Sequence, residues 1–217
     1  MKRTPFKTML DIGAGNNLLS KFFQLKSWVV HAVEPSIDAS KYLKAFNINI
    51  YNSSIEDFNF GQIKDLSFIN VQFVLEHLRN PIQFLKNAYN ALVTGGVIRI
   101  CVPNDFSDGH LAYMDYHGGK PAWVAFPDHI NYINFDSLNR LLERIGFEEV
   151  YRRSNFPLEF LLLGGIDFYS NKKDKEKVSP FVSNFESALK GEKLYKLYEC
   201  LAQVGFGRSA FMYFRKN

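Results

Sequence analysis

The chain has 217 residues, 47% hydrophobic and 16% aromatic, enough apolar material for one globular domain with a large core. Its net charge of +4 rests partly on the run Lys172–Lys177, which reads as a solvated loop and not as a nucleic-acid surface. The two cysteines, Cys101 and Cys200, support neither a disulfide framework nor a metal site, no apolar run reaches a membrane span, and Asp11 with its following glycines breaks any signal-peptide core, so a cytoplasmic protein is expected.

Taken in order, strands and helices alternate. Lys7 to Ile12 reads as a strand and Asn16 to Gln24 as a helix with Asn16 as its cap. Ser27 to Val33 is a second strand, followed by a helix from Ser36 to Phe46 with Ser36 as cap. Ile48 to Tyr51 and Leu66 to Asn70 are further strands. Asn80-Pro81 opens a helix, cap followed by proline in the first turn, that ends at Gly95-Gly96. Val97 to Val102 is an apolar strand interrupted only by Arg99. A long aromatic, histidine-bearing loop follows, with His110, Trp123, Asp128, His129 and Tyr132. Asp136 to Ile145 is a helix with Leu138, Leu141, Leu142 and Ile145 at helical spacing. Glu148 to Arg152 and Ser209 to Phe214 are the last two strands. Between them Ser183 to Gln203 is helical, and residues 155–207 read as an insertion or lid in an otherwise single domain, 1–217.

This pattern predicts an α/β fold, Rossmann-like and doubly wound, with a mostly parallel seven-stranded sheet covered by helices on both faces. Ligands of such sheets bind beyond the carboxyl ends of the strands. At the first of those ends stands Asp11-Ile12-Gly13-Ala14-Gly15-Asn16-Asn17-Leu18. Gly13 and Gly15 supply two glycines of a dinucleotide fingerprint, but Leu18 stands where the third would pack near a pyrophosphate. The turn suits an adenosine without a diphosphate. A nicotinamide-dependent oxidoreductase is the weaker reading.

With these residues the chain resembles the class I S-adenosylmethionine-dependent methyltransferases. Asp11, Gly13 and Gly15 match their glycine motif, and Asn17 replaces its last glycine. Leu75-Glu76-His77 followed by Asn80-Pro81 is a second point of similarity. The resemblance implies S-adenosylmethionine as cofactor, with S-adenosylhomocysteine as product, and a small-molecule acceptor such as a saccharide or a quinone-type intermediate. It implies no metal, no nucleic-acid partner and no membrane association. It places Asp11, Gly13, Gly15, Glu34, Ser54, Ile55, Asn70 and Val71 at the cofactor. Glu34 follows the second strand, where a carboxylate takes both ribose hydroxyls. Ser54 takes the place of the family's adenine-binding acid, and Ile55 either packs on the adenine or belongs to the core. Asn70, Val71 and Gln72 would line the methionine end.

On the acceptor side, Asn104 and Asp105 follow the fifth strand, and either is a candidate for holding a hydroxyl. His129 with Asp128 is a general-base candidate, since imidazole titrates near neutral pH, with a scaffolding role as the equal alternative. Glu76 and His77 read as pins for the next helix, with catalysis as the alternative. Members of the class usually carry helices before the first strand. Here the insertion, a second copy of the chain or a partner subunit would cover the cofactor. A non-catalytic, partner-binding domain of the same fold is the remaining reading.

Overall fold

A computed structural model describes residues 6–15, 18–117, 121 and 123–217. The strands are β1 (Thr8–Ile12), β2 (Val29–Val33), β3 (Asn49–Tyr51), β4 (Leu66–Gln72), β5 (Leu92–Pro103), β6 (Phe147–Arg153) and β7 (Ser209–Lys216). They form one seven-stranded sheet in the order β3-β2-β1-β4-β5-β7-β6. The pairs β1–β2, β1–β4, β2–β3 and β4–β5 are parallel. β1 and β4 are buried along nearly their whole length, with Met9, Leu10, Ile12, Ile69 and Val71 at 0% exposure. A strand buried on both faces needs cover on both faces, which is why its sequence runs apolar instead of alternating.

The helices are α1 (Leu18–Leu25), α2 (Ile37–Lys44), α3 (Pro81–Ala91), α4 (Asp108–His117), α5 (Phe135–Ile145), α6 (Glu159–Leu163), α7 (Lys172–Leu189) and α8 (Glu192–Gln203). Two expected caps act as caps: Ser36 Oγ accepts the Ala39 N–H at 3.3 Å and Asn80 Oδ1 accepts the Gln83 N–H at 3.1 Å. Asn16 and Asn17, the third cap and the departure from the glycine motif, lie outside the described residues.

By contact the chain divides into two compact units: Met1–Cys101 with Asn139–Tyr151 and Met212–Asn217, and Val102–Leu138 with Arg152–Phe211. In the first, Met9, Val30, Ala32, Leu43 and Ile48 form an apolar cluster against which Phe23 and Phe68 stack, centroids 5.1 Å apart. In the second, Trp123, Phe156, Leu162, Phe168 and Tyr198 form the cluster. The segment expected as an insertion falls in this second unit.

Four details of the sequence reading change. Gly95-Gly96 does not end a helix; α3 stops at Ala91, and both glycines lie inside β5. Leu66 and Phe68 of β4 face Leu92 and Val97 of β5, so two steps on one strand oppose five on the other, and the surplus is a bulge. Gly95, at φ +81°, supplies the backbone conformation this bulge needs. The lysine-rich run is not a loop but the start of α7, where Asn171 caps by accepting the Lys173 N–H at 2.9 Å and Lys177 pairs with Asp174 at 2.7 Å. The aromatic loop contains α4. Finally, the helical stretch after Ser183 belongs to two helices, separated at Lys190-Gly191 where Gly191 has φ +72°.

Candidate active site

Parallel pairing sets the carboxyl ends of β3, β2, β1 and β4 side by side in the first unit. The turn after β1 is held to the end of β2. Gly13 N–H donates to the Val33 carbonyl at 2.9 Å, and Gly15 N–H donates to Glu34 Oε2 at 2.7 Å. The other carboxylate oxygen, Oε1, accepts the Ser36 N–H at 2.7 Å. Glu34 is buried. Each of its oxygens has one backbone donor and retains a lone pair for a second. Gly13 sits at φ +64°, and a Cβ there would meet Val74 Cγ2 at 2.6 Å. Gly15, at φ +51°, has nothing nearer than 4.0 Å to an added Cβ. The turn is thus kept in the left-handed region, close to the acid, with no side chain on its glycines to cover it. Leu18 opens α1 and is exposed.

Asp11 is enclosed beneath this turn. Its Oδ2 accepts from Ser20 Oγ and its Oδ1 from Asn70 Nδ2, both at 2.6 Å. Asn70 Oδ1 in turn accepts from Arg99 at 2.5 Å, and the same guanidinium nitrogen reaches Gln72 Oε1 at 3.1 Å. Burial raises the Asp11 carboxyl above its ordinary value, against the bonds from Ser20 and Asn70 and the charge of Arg99. Asp11 and Asn70 therefore brace β1, α1, β4 and β5 from within, and Val71 is likewise fully enclosed. The residues of this strand end that reach the surface are Gln72 and Phe73. Phe73 is held at φ +54° with its N–H on the Cys101 carbonyl at 2.9 Å.

After β3, Ser54 is exposed; its hydroxyl donates to Asp57 Oδ2 at 2.7 Å and accepts the Asp57 N–H at 3.2 Å. The carboxylate of Asp57 therefore stands beside Ser54. Ile55 is half-buried and lines a small cavity of about 220 Å³ with Phe60, Gln83 and Phe84. Glu76 is buried and His77 exposed on a single 3-10 turn, Leu75–His77.

The acceptor-side candidates lie in the second unit. Asn104 is enclosed, and its amide donates to the carbonyls of Gly205 and Gly207 at 2.8 and 2.9 Å. Its N–H donates to Arg208 O at 3.0 Å. Glu159 also holds this turn, by accepting the Gly207 N–H at 2.9 Å. Asn104 is thus a clasp on the Gly205–Gly207 turn, with Oδ1 alone free of hydrogen bonds among the described residues. Asp128 and His129 lie 3.9 Å apart, Oδ2 to Nε2, Asp128 largely in solvent and His129 mostly covered. That distance permits an ion pair and exceeds a hydrogen bond. In the same unit His110 stacks on Trp123, centroids 4.0 Å apart and planes within 12°. Burial lowers the His110 imidazole to about 4.

Sequence reasoning set Gln72 at the methionine end of the cofactor and missed the parts played by Arg99 and Asp57. Arg99 left a signal, a lone cation in an apolar strand that must find partners inside the sheet. Asp57 is a third-residue partner for a turn serine, a pairing local enough to be read.

A family described as methyltransferase domain matches residues 2–151 of the chain. No curated protein sequence matches. Among solved structures, an S-adenosylmethionine-dependent methyltransferase from Archaeoglobus fulgidus is similar with a TM-score of 0.60 at 16% identity, covering 98% of this chain and 87% of that one. The plantazolicin methyltransferase BpumL, solved with S-adenosylhomocysteine, has a TM-score of 0.58 at 18% identity over 100% of this chain and 78% of its own. The cyclopropane synthase MmaA2 from Mycobacterium tuberculosis has a TM-score of 0.58 at 17% identity, over 98% and 79%. These likenesses share the fold of the sheet described above, and with the family match they lead to one conclusion: the chain belongs to the methyltransferase-domain family, the class I S-adenosylmethionine-dependent methyltransferases.

Proposed function

We propose that the chain transfers a methyl group from S-adenosylmethionine to a small-molecule acceptor, with the cofactor seated on the strand ends of β1 to β4. The observation that carries this reading is the Gly13–Gly15 turn bonded to the Glu34 carboxylate. Glu34 uses its remaining lone pairs for the ribose hydroxyls. Ser54 and Asp57 offer acceptors to the adenine amino group, and Ile55 offers an apolar face. Gly13 and Gly15 let the backbone approach, while Asp11, Asn70 and Val71 hold the strand ends from beneath. When bound, the cofactor supplies an electrophilic methyl on a sulfonium and leaves as S-adenosylhomocysteine. The protein's part is to hold acceptor and donor in line at close approach.

A hydroxyl acceptor loses a proton as its oxygen takes the methyl, and His129 is the base we assign to it, with Asp128 stabilising the imidazolium. Asn104 orders the Gly205–Gly207 turn on the acceptor side. A saccharide or quinone-type intermediate is the acceptor class, and a second copy of the chain or a partner subunit is a candidate cover for the cofactor.

Calorimetric titration with S-adenosylmethionine, S-adenosylhomocysteine and NAD tests the reading. Micromolar binding of the first two without NAD is the expected outcome. Binding of NAD alone, or of none, overturns it.

A further inference from the structure

The second unit holds a groove of about 750 Å³ that the proposed transfer does not use. One wall is α7, an 18-residue helix with no buried residue. A helix of that length normally buries one apolar stripe. Here Val178 and Val182 are only half-buried: they pack with Phe185 against the second-unit cluster and also line the groove, together with Phe156 and Leu158. Ser179, Ser183 and Ser187 recur at every fourth position of the same wall, so three hydroxyls stand in one row beside the apolar floor.

Charge decides what this groove fits. Arg208 and Lys190 both line it, and among the described residues neither forms an ion pair within 4 Å. The single lining acid, Glu186, already accepts the Tyr198 hydroxyl at 2.7 Å. Two uncommitted cations, a hydroxyl row and an apolar floor of ligand-site size complement one kind of molecule. We propose that this groove binds an amphiphile with an anionic head, the apolar body lying along Val178, Val182 and Phe156 and the head taken by Arg208 and Lys190. The guanidinium fork of Arg208 matches two oxygens of a phosphate or a carboxylate.

Decyl phosphate and decanoate, each below its micelle concentration, are the anionic probes, and decyl glucoside is the neutral one. Calorimetry on the full chain should show at least one anion binding tenfold or more tightly than the glucoside. Which anion leads separates a phosphate head from a carboxylate. Arg208→Gln and Lys190→Gln should each weaken that binding by about tenfold, the usual loss for one charge-assisted hydrogen bond. Ser183→Trp, an exposed substitution that fills the groove and leaves both cations, should abolish it. Circular dichroism confirms that each variant is folded. Equal affinity for neutral and anionic probes, no binding of either anion, or binding indifferent to Arg208 and Lys190 overturns the proposal. None of these readouts depends on methyl transfer.

Discussion

Acidification should loosen the second unit through His110. The imidazole is stacked on Trp123 and buried, and it titrates at about 4 instead of the ordinary 6.5. A histidine lowered on folding is protonated more readily in the unfolded chain. The penalty is small above the ordinary 6.5, where both states hold the neutral ring, and the folded state loses stability as pH falls from there toward about pH 4. The binding polynomials of the two states give a penalty of about 0.2 kcal/mol at about pH 7 and about 2 kcal/mol at about pH 5. His110→Phe keeps a ring against Trp123 and removes the proton site. It also removes Nδ1, which is buried without a hydrogen bond among the described residues. The assay is urea unfolding at both pH values, followed by Trp123 fluorescence in a Trp28→Phe background, since these are the two tryptophans of the chain. The parent should lose about 2 kcal/mol more than the His110→Phe variant on acidification. Equal losses would refute the assignment and move the acid sensitivity elsewhere.

Four other outcomes follow from the same geometry. Glu34→Ala strands the N–H groups of Gly15 and Ser36 and should weaken S-adenosylmethionine binding about tenfold in calorimetry; unchanged affinity would take Glu34 out of the ribose role. Gly13→Ala forces a side chain into left-handed backbone at about 1–2 kcal/mol and against Val74. Adding Val74→Ala should recover the clash but not the backbone cost, and a single variant as stable as the parent would contradict the described turn. Arg99→Met takes a donor from the enclosed Asn70 and should cost about 1–3 kcal/mol in urea unfolding, whereas an unchanged midpoint would show the network to be slack. His129→Ala should leave cofactor affinity alone and slow transfer to an oxygen acceptor; equal rates across a pH series would make His129 structural.

The sequence was most readable where chemistry is local. Ser36 and Asn80 announce their helices because a cap needs only its own next three residues. The glycine turn and Glu34 are legible because each directly follows an apolar strand. The bulge at Gly95-Gly96 was not, since paired glycines signal a break of any kind and only the partner strand shows which. α4 was missed because Leu111, Tyr113, Met114 and Tyr116 do not gather on one face. Asn104 looked like a ligand residue by its place after β5. Its partners lie 101 and 103 residues away, beyond any local pattern.

The position of β7 bears on how the molecule is made. Residues 209–216 enter the sheet between β5 and β6, so those two strands lack their shared partner until this stretch has left the ribosome. Throughout that interval both expose backbone edges that invite pairing with other chains. A ribosome stalled before residue 209 would therefore carry a nascent chain with an open slot in its sheet, a form suited to chaperone capture and prone to aggregation.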